Sequence, residues 1–319
     1  MKQRSTLALL ATFAVAAILA VPRPTLADYH SQKTLKLEPG GRFVIDLAVG
    51  SVTLTGTAES GARIEITSNH DDFEQLFNLD FAESPGEARV TVRKKYDFHW
   101  PNRLRAHFDI RVPTDTQVDV KTSGGSVEIS RLRRDADLNT SGGSIKVSDF
   151  SAGLRAHTSG GSITLQGVSG NAKVDTSGGA IEGDSLSGTL DARTSGGSIR
   201  LDKVTGDLLA HTSGGSIRID DAGGKVDART SGGSVDVAFA KGNARGGELE
   251  TSGGGIRVAL DPSVNLDLEA DTSSGRVVSD LPITTSGTIS SSHLHGKIGS
   301  GGETLRVHAD GGPIRIEAR

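Results

Sequence analysis

The tetrapeptide Thr-Ser-Gly-Gly begins at Thr122, Thr140, Thr158, Thr176, Thr194, Thr212 and Thr230, always 18 residues apart, and returns at Thr251 after 21. A short fixed period of this kind describes a stack of like units, none of which can bury its apolar face without its neighbours. In the unit that starts at Thr194, Ile199 and Leu201 alternate with Ser198, Arg200 and Asp202. Leu208 and Ala210 then alternate with Asp207, Leu209 and His211. Alternation of period two marks a strand with one buried face, so each unit holds two short strands and two turns. Gly196 and Gly197 are expected to give one turn its positive φ, and Gly206 the other. The fold class is all-β: a single-chain parallel β-solenoid with 18-residue rungs and an N-terminal capping region. At ~4.8 Å per rung, roughly ten rungs make a rod of about 50 Å.

The core can be followed down the period. One inward column runs Val127, Ile145, Ile163, Ile181, Ile199, Ile217, Val235, Ile256, and a second runs Ile129, Val147, Leu165, Gly183, Leu201, Ile219, Val237, Val258. Parity places the repeated threonine on the same inward face, because Thr194 lies two residues after Ala192 and four after Leu190. A buried hydroxyl without a partner costs about 1–3 kcal/mol, so these threonines must bond either one another or the adjacent turn backbone. Outward columns carry mixed charge: Asn139, His157, Asp175, Arg193, His211, Arg229 on one strand and Glu128, Lys146, Thr164, Glu182, Arg200, Arg218, Asp236 on the other. They read as a solvated face, with Arg200 and Arg218 the positions through which that face would meet a ligand.

The ends differ from the middle. Lys2 and Arg4 precede an uncharged stretch from Leu7 to Val21 and the small-residue site Thr25-Leu26-Ala27, the pattern of a cleaved export signal spanning residues 1–27. Its removal takes the formal charge from −4 to −7, which argues against nucleic acid as a partner. The chain has no cysteine, so an oxidising compartment would add no covalent staple. Nine of the twelve aromatic residues fall between Tyr29 and Phe108. This bulkier stretch reads as a cap with the first rungs (28–121), containing a hairpin from 77–81 through Pro85-Gly86 to 88–93. The regular solenoid follows (122–280), then an irregular loop and a last rung (281–319). The stretch from Ile256 to Val277 echoes that from Ile110 to Val127, each a strand, a loop with Pro113 or Pro262, a strand and a Thr-Ser turn.

The export signal, Val112-Pro113 before Val118-Asp-Val, the Thr-Ser-Gly-Gly-Ser-Ile series, Thr272-Ser-Ser-Gly-Arg-Val-Val-Ser-Asp-Leu-Pro282 and the closing Gly-Gly-Pro-Ile-Arg-Ile together resemble the putative-adhesin family of bacterial β-strand-repeat envelope proteins. The resemblance covers nearly all of the chain after residue 27. It implies a β-solenoid of the periplasm or cell surface and supplies no catalytic residues.

Site chemistry is sparse. His293, His295 and His308 lack an evident fourth ligand, and no metal or other cofactor is expected. A strand, not a helix N-terminus, follows Gly299-Ser-Gly-Gly302, so it is no phosphate loop. The cluster Arg93, Lys94, Lys95, Tyr96, Trp100, Arg103 and Arg105 combines cations with rings and would suit an anionic glycan. The expected function is an exported, non-catalytic, adhesin-like binding or scaffold protein of the cell envelope, with a glycan or another envelope surface component as partner. The alternatives are a polysaccharide-active β-helix enzyme, whose acid and base would have to converge in a groove, and a structural spacer.

Overall fold

The computed structural model describes residues 29–96, 104–285 and 290–319; the expected export signal at 1–27, together with Trp100 and Arg103, lies outside them. Among the described residues the chain forms one 14-stranded and one 15-stranded sheet, with a single helical turn at Phe73–Leu76. Each rung contributes one strand to each sheet, and the apolar faces meet in a continuous core. Through the middle the register is the sequence period itself: Ile145 lies opposite Val127 and Ile163, Ile199 opposite Ile181 and Ile217, and Ala192 opposite Val174 and Ala210. Gly183 interrupts one column because Leu186 and Leu201 fill its place; a Cβ there would lie 2.8–2.9 Å from their methyl groups.

The threonines point inward and are 0–5% exposed. From Thr140 to Thr251 each donates its hydroxyl to the second glycine's carbonyl in the turn of the preceding rung, as Thr194 does to Gly179 at 2.8 Å, while Thr122 donates to the Gly50 carbonyl at 2.9 Å. The same oxygen accepts the second glycine N–H of its own turn, Gly197 to Thr194 at 3.2 Å. The turn backbone is therefore the partner, and the repeated motif staples successive turns together.

The expected role of the turn glycines needs correction. None of Gly196, Gly197 and Gly206 has a positive φ. The second glycine is required by close stacking, since a Cβ on Gly197 would stand 1.9 Å from the Gly179 carbonyl oxygen. Gly196 is open, with its nearest neighbour 3.6 Å away. Positive φ occurs at the opposite corner in the two preceding rungs, at Gly170 (116°) and Gly188 (102°), and at a kink column, Arg131, Asp149, Gly167, Ser185, Lys203 and Asp221 (φ 49–63°), which bends each strand just before the inward corner residues Leu132 to Ala222.

The described residues form twelve two-strand rungs, where roughly ten were expected, and at ~4.8 Å each they make a stack of about 55 Å. Spatial order departs from chain order at both ends. The first rung in sequence, Arg42–Leu47 with Ser51–Thr57, lies between the rung Glu87–Lys94 with Ala106–Pro113 and the rung Gln117–Thr122 with Val127–Leu132. The last, Glu303–Ala309 with Ile314–Ala318, is inserted between the rung Gly247–Thr251 with Ile256–Leu260 and the rung Leu266–Thr272 with Val277–Ser279. The two proline-containing loops that echo one another in sequence are the two places where the chain steps over a rung.

Antiparallel strands close the stack. At one end Phe77–Ser84 pairs with Glu87–Lys94, which is the expected hairpin, while Ala62–Ser68 and Tyr29–Leu35 extend the other sheet. The rings of Phe73 and Phe77 lie 4.8 Å apart and those of Tyr29 and Phe73 5.4 Å apart. The Tyr29 hydroxyl donates to Glu74 Oε1 at 2.7 Å, and burial together with this acceptor pushes its pKa up to about 12. At the far end His293–Ile298 pairs with Leu266–Thr272.

Candidate functional site

Of the cap cations singled out in the sequence, Arg93 and Lys95 are committed to local side-chain contacts, whereas Arg105 is held through its backbone. The Arg93 guanidinium is held by the Asp46 carboxylate and by the Asp46 carbonyl at 3.1 Å, which raises its pKa further. Lys95 Nζ donates to the Glu74 carbonyl at 2.6 Å, and Lys94 ends its strand half-buried. The Arg105 N–H donates to Asn69 Oδ1 at 2.7 Å, and the residue borders a hollow of about 680 Å³ with Val49, Leu104 and His107. Tyr96 is 56% exposed. Trp100 and Arg103, the other members of this cluster, lie outside the described residues.

On the 14-stranded sheet Arg200 stands in register between Glu182 and Arg218. Arg218 donates to Asp220 at 2.9 Å and faces Asp236, and the bond to Asp220 raises its pKa. Lys146 likewise pairs with Glu128 at 2.8 Å, while Arg200 forms no ion pair among the described residues. The histidines do not meet: Asp271 lies opposite His293 on one side and His308 on the other, so a strand separates them. Among the described residues no group of three or more His, Cys, Asp or Glu is placed to hold a metal ion.

The outer face of the 15-stranded sheet carries a groove of about 710 Å³ that runs along the stack across seven rungs. Its floor is the edge of the core, Ala136, Leu154, Ala172, Leu190 and Leu208. One wall is the outward column Asp119, Asp137, Arg155, Lys173, Asp191, Leu209, Asp227, in register from strand to strand. The other wall is set by the turns: Asp135, Gly153, Asn171, Thr189, Asp207, Lys225. Most charges here have partners. Asp119 accepts from Arg42 at 2.6 Å, Arg193 stands 2.9 Å from Asp191, and Lys225 donates to Asp227 at 3.3 Å.

Arg155 and Lys173 are the two cations of this wall without an ion pair, and Asp137 beside them also forms none among the described residues. The two cations lie directly opposite each other, and both are exposed. Like charges directly opposite on adjacent strands repel and destabilise the pair. Sequence reasoning passed over this site because the column looked like any solvated face. The available signal was two cations exactly one period apart.

The carboxylates with shifted acidity do not converge on this groove. Asp184 is lowered by the Ser185 hydroxyl and by Lys203, and Asp261 by the Ser263 N–H and hydroxyl. Both are held ionised by local turn contacts, whereas a general acid needs a raised pKa.

The sequence pattern of the Toastrack family, DUF4097, matches residues 44–220 and again 208–317. Among solved structures, a putative adhesin from Bacteroides fragilis is similar over 91% of this chain and 97% of its own, at 12% identity and TM-score 0.36. A putative adhesin from Parabacteroides distasonis covers the same shares at 11% identity and TM-score 0.36. A putative lipid binding protein from Parabacteroides distasonis covers 90% and 96% at 10% identity and TM-score 0.34. No curated protein matches the chain.

Proposed function

Since the chain belongs to the Toastrack family, we propose that it is an exported, non-catalytic β-solenoid that binds a surface or matrix component of the cell envelope along its length, as an adhesin-like or scaffold protein. The observation that carries this reading is the groove itself: a recess of about 710 Å³ shared by seven rungs and walled by side chains spaced one rung apart. Such a surface suits an extended partner, which can be engaged at many weak points on a rigid ladder. Catalysis would require an acid and a base converging on one bond, and the repeat distributes its acids and bases along the rod. Export to the periplasm or surface rests on residues 1–27. No helix among the described residues is long and apolar enough to cross a membrane.

Fractionation of cells expressing the full chain, followed by binding of the purified protein to immobilised envelope glycans, tests the reading. The expected result is protein in the periplasmic or surface fraction and saturable binding that survives substitution of the cap residues Arg93 and Tyr96. Cytoplasmic retention, or binding that maps to those cap residues alone, overturns it. Shortened or unsaturated products from acidic polysaccharides would replace binding with catalysis.

A further inference from the structure

We propose that the groove of the 15-stranded sheet is an acidic-heteroglycan site in which Arg155 and Lys173 clasp one anionic sugar while the flanking rungs hold neutral sugars. The inference rests on the binding function proposed above and assigns it a place and a ligand class. Read along the stack, the wall is acid (Asp137), cation (Arg155), cation (Lys173), acid (Asp191), apolar (Leu209), acid (Asp227), one side chain per rung at ~4.8 Å. An unpaired cation pair is an incomplete arrangement that a carboxylate or sulfate completes, accepting from both donors at once. Asn171 on the facing wall spends its Oδ1 on the Thr189 hydroxyl at 2.8 Å, which leaves its amide N–H groups as further donors toward the same anion.

The flanks set the spacing of charge. Asp137 and Asp191 lie three rungs apart, about 14 Å, and each would repel a polymer charged at every residue. Neutral sugars reverse the sign of that interaction, because their hydroxyls donate to carboxylates. Leu209, half-buried between Asp191 and Asp227, offers an apolar step against which the C–H face of a pyranose can lie.

A peptide is less suited to this groove. The groove runs across the strands, and the N–H and C=O groups beneath it are already paired from rung to rung. A peptide lying there could not extend the sheet by main-chain bonds, so recognition must come from side chains alone.

The test is binding of the purified full chain to four immobilised probes: gellan, whose uronates are separated by neutral sugars, polygalacturonate, dextran and a mixed-charge peptide. Gellan is expected to bind at least tenfold more tightly than the other three. Arg155→Gln and Lys173→Gln should each weaken gellan at least fivefold without lowering the melting temperature, while Arg200→Gln on the opposite sheet leaves gellan binding unchanged. Preference for polygalacturonate, or gellan binding indifferent to Arg155→Gln and Lys173→Gln, overturns the clasp while leaving a binding function standing. Preference for the peptide overturns the glycan assignment. If envelope glycans also fail to bind in the experiment above, the broader reading falls with it.

Discussion

Between Gln117 and Leu260 the chain adds one rung after another in sequence order, whereas at each end it steps over a position that another part of the chain occupies. The two regions use the same parts. Thr272 donates to the Gly312 carbonyl at 2.8 Å, just as Thr194 donates to Gly179, although Gly312 lies 40 residues later in the chain and Gly179 15 residues earlier. The difference teaches that the period specifies a contact between neighbouring rungs, not a contact between neighbours in sequence. The inserted rung itself turns at Ala309-Asp310-Gly311-Gly312, so a strand, a glycine-containing turn and a strand suffice to fill an open position of the stack.

Three experiments sharpen or break that equivalence. The largest effect is expected from removing residues 303–319. This deletes Leu305, Val307, Ala309, Ile314 and Ile316, all at most 1% exposed, and with them roughly 10 kcal/mol of apolar burial. Hydrogen exchange should show loss of protection throughout 266–298. Excising one middle unit, residues 176–193, joins Asp175 to Thr194 in register and should lower the melting temperature by only a few degrees, about 2–4 °C. Retained protection at 266–279 in the shortened chain would show that the inserted rung does not hold the end.

A smaller effect separates the two glycines of one turn. Gly197→Ala forces its Cβ against the Gly179 carbonyl and should cost about 3 kcal/mol, while Gly196→Ala should be neutral or stabilise by up to about 1 kcal/mol. A Cβ on Gly275 would stand 2.3 Å from the Gly312 carbonyl oxygen of the inserted rung, so Gly275→Ala should cost nearly as much as Gly197→Ala in denaturant titration. If it costs little, the ends are packed more loosely than the middle.

The smallest concerns the threonine staple. Thr194→Val keeps the shape but leaves the Gly179 carbonyl and the Gly197 N–H unpaired, a loss of about 2 kcal/mol. Thr194→Ser keeps the hydroxyl and should lose less than half of that. Equal losses for the two variants would mean that the methyl group, and not the hydrogen bonds, stabilises the turn.

The inward columns were legible because side-chain parity in a strand is strict, and the observed pairing of Ile145 with Val127 and Ile163 follows directly from the 18-residue period. The buried threonine was legible for the same reason. The stepping-over was not, although both loops could be located. Residues 114–116 can span about 13 Å when extended, enough for one rung or for two at about 9.6 Å, so length alone does not say how far the loop climbs. The cause of the turn glycines was misread because a positive φ and a close backbone approach leave the same mark in a sequence. Arg155 and Lys173 were hidden by the repeat itself, which makes every outward column look like surface until its ion pairs are assigned.

The inserted rung also ties completeness of the molecule to its architecture. The slot between Gly247–Leu260 and Leu266–Ser279 is filled by residues that leave the ribosome, and any export channel, only after both of its walls. A chain halted before residue 303 presents two unpaired strand edges facing one another, the surfaces most prone to capture a strand from another molecule or a chaperone. The fold thereby measures its own length.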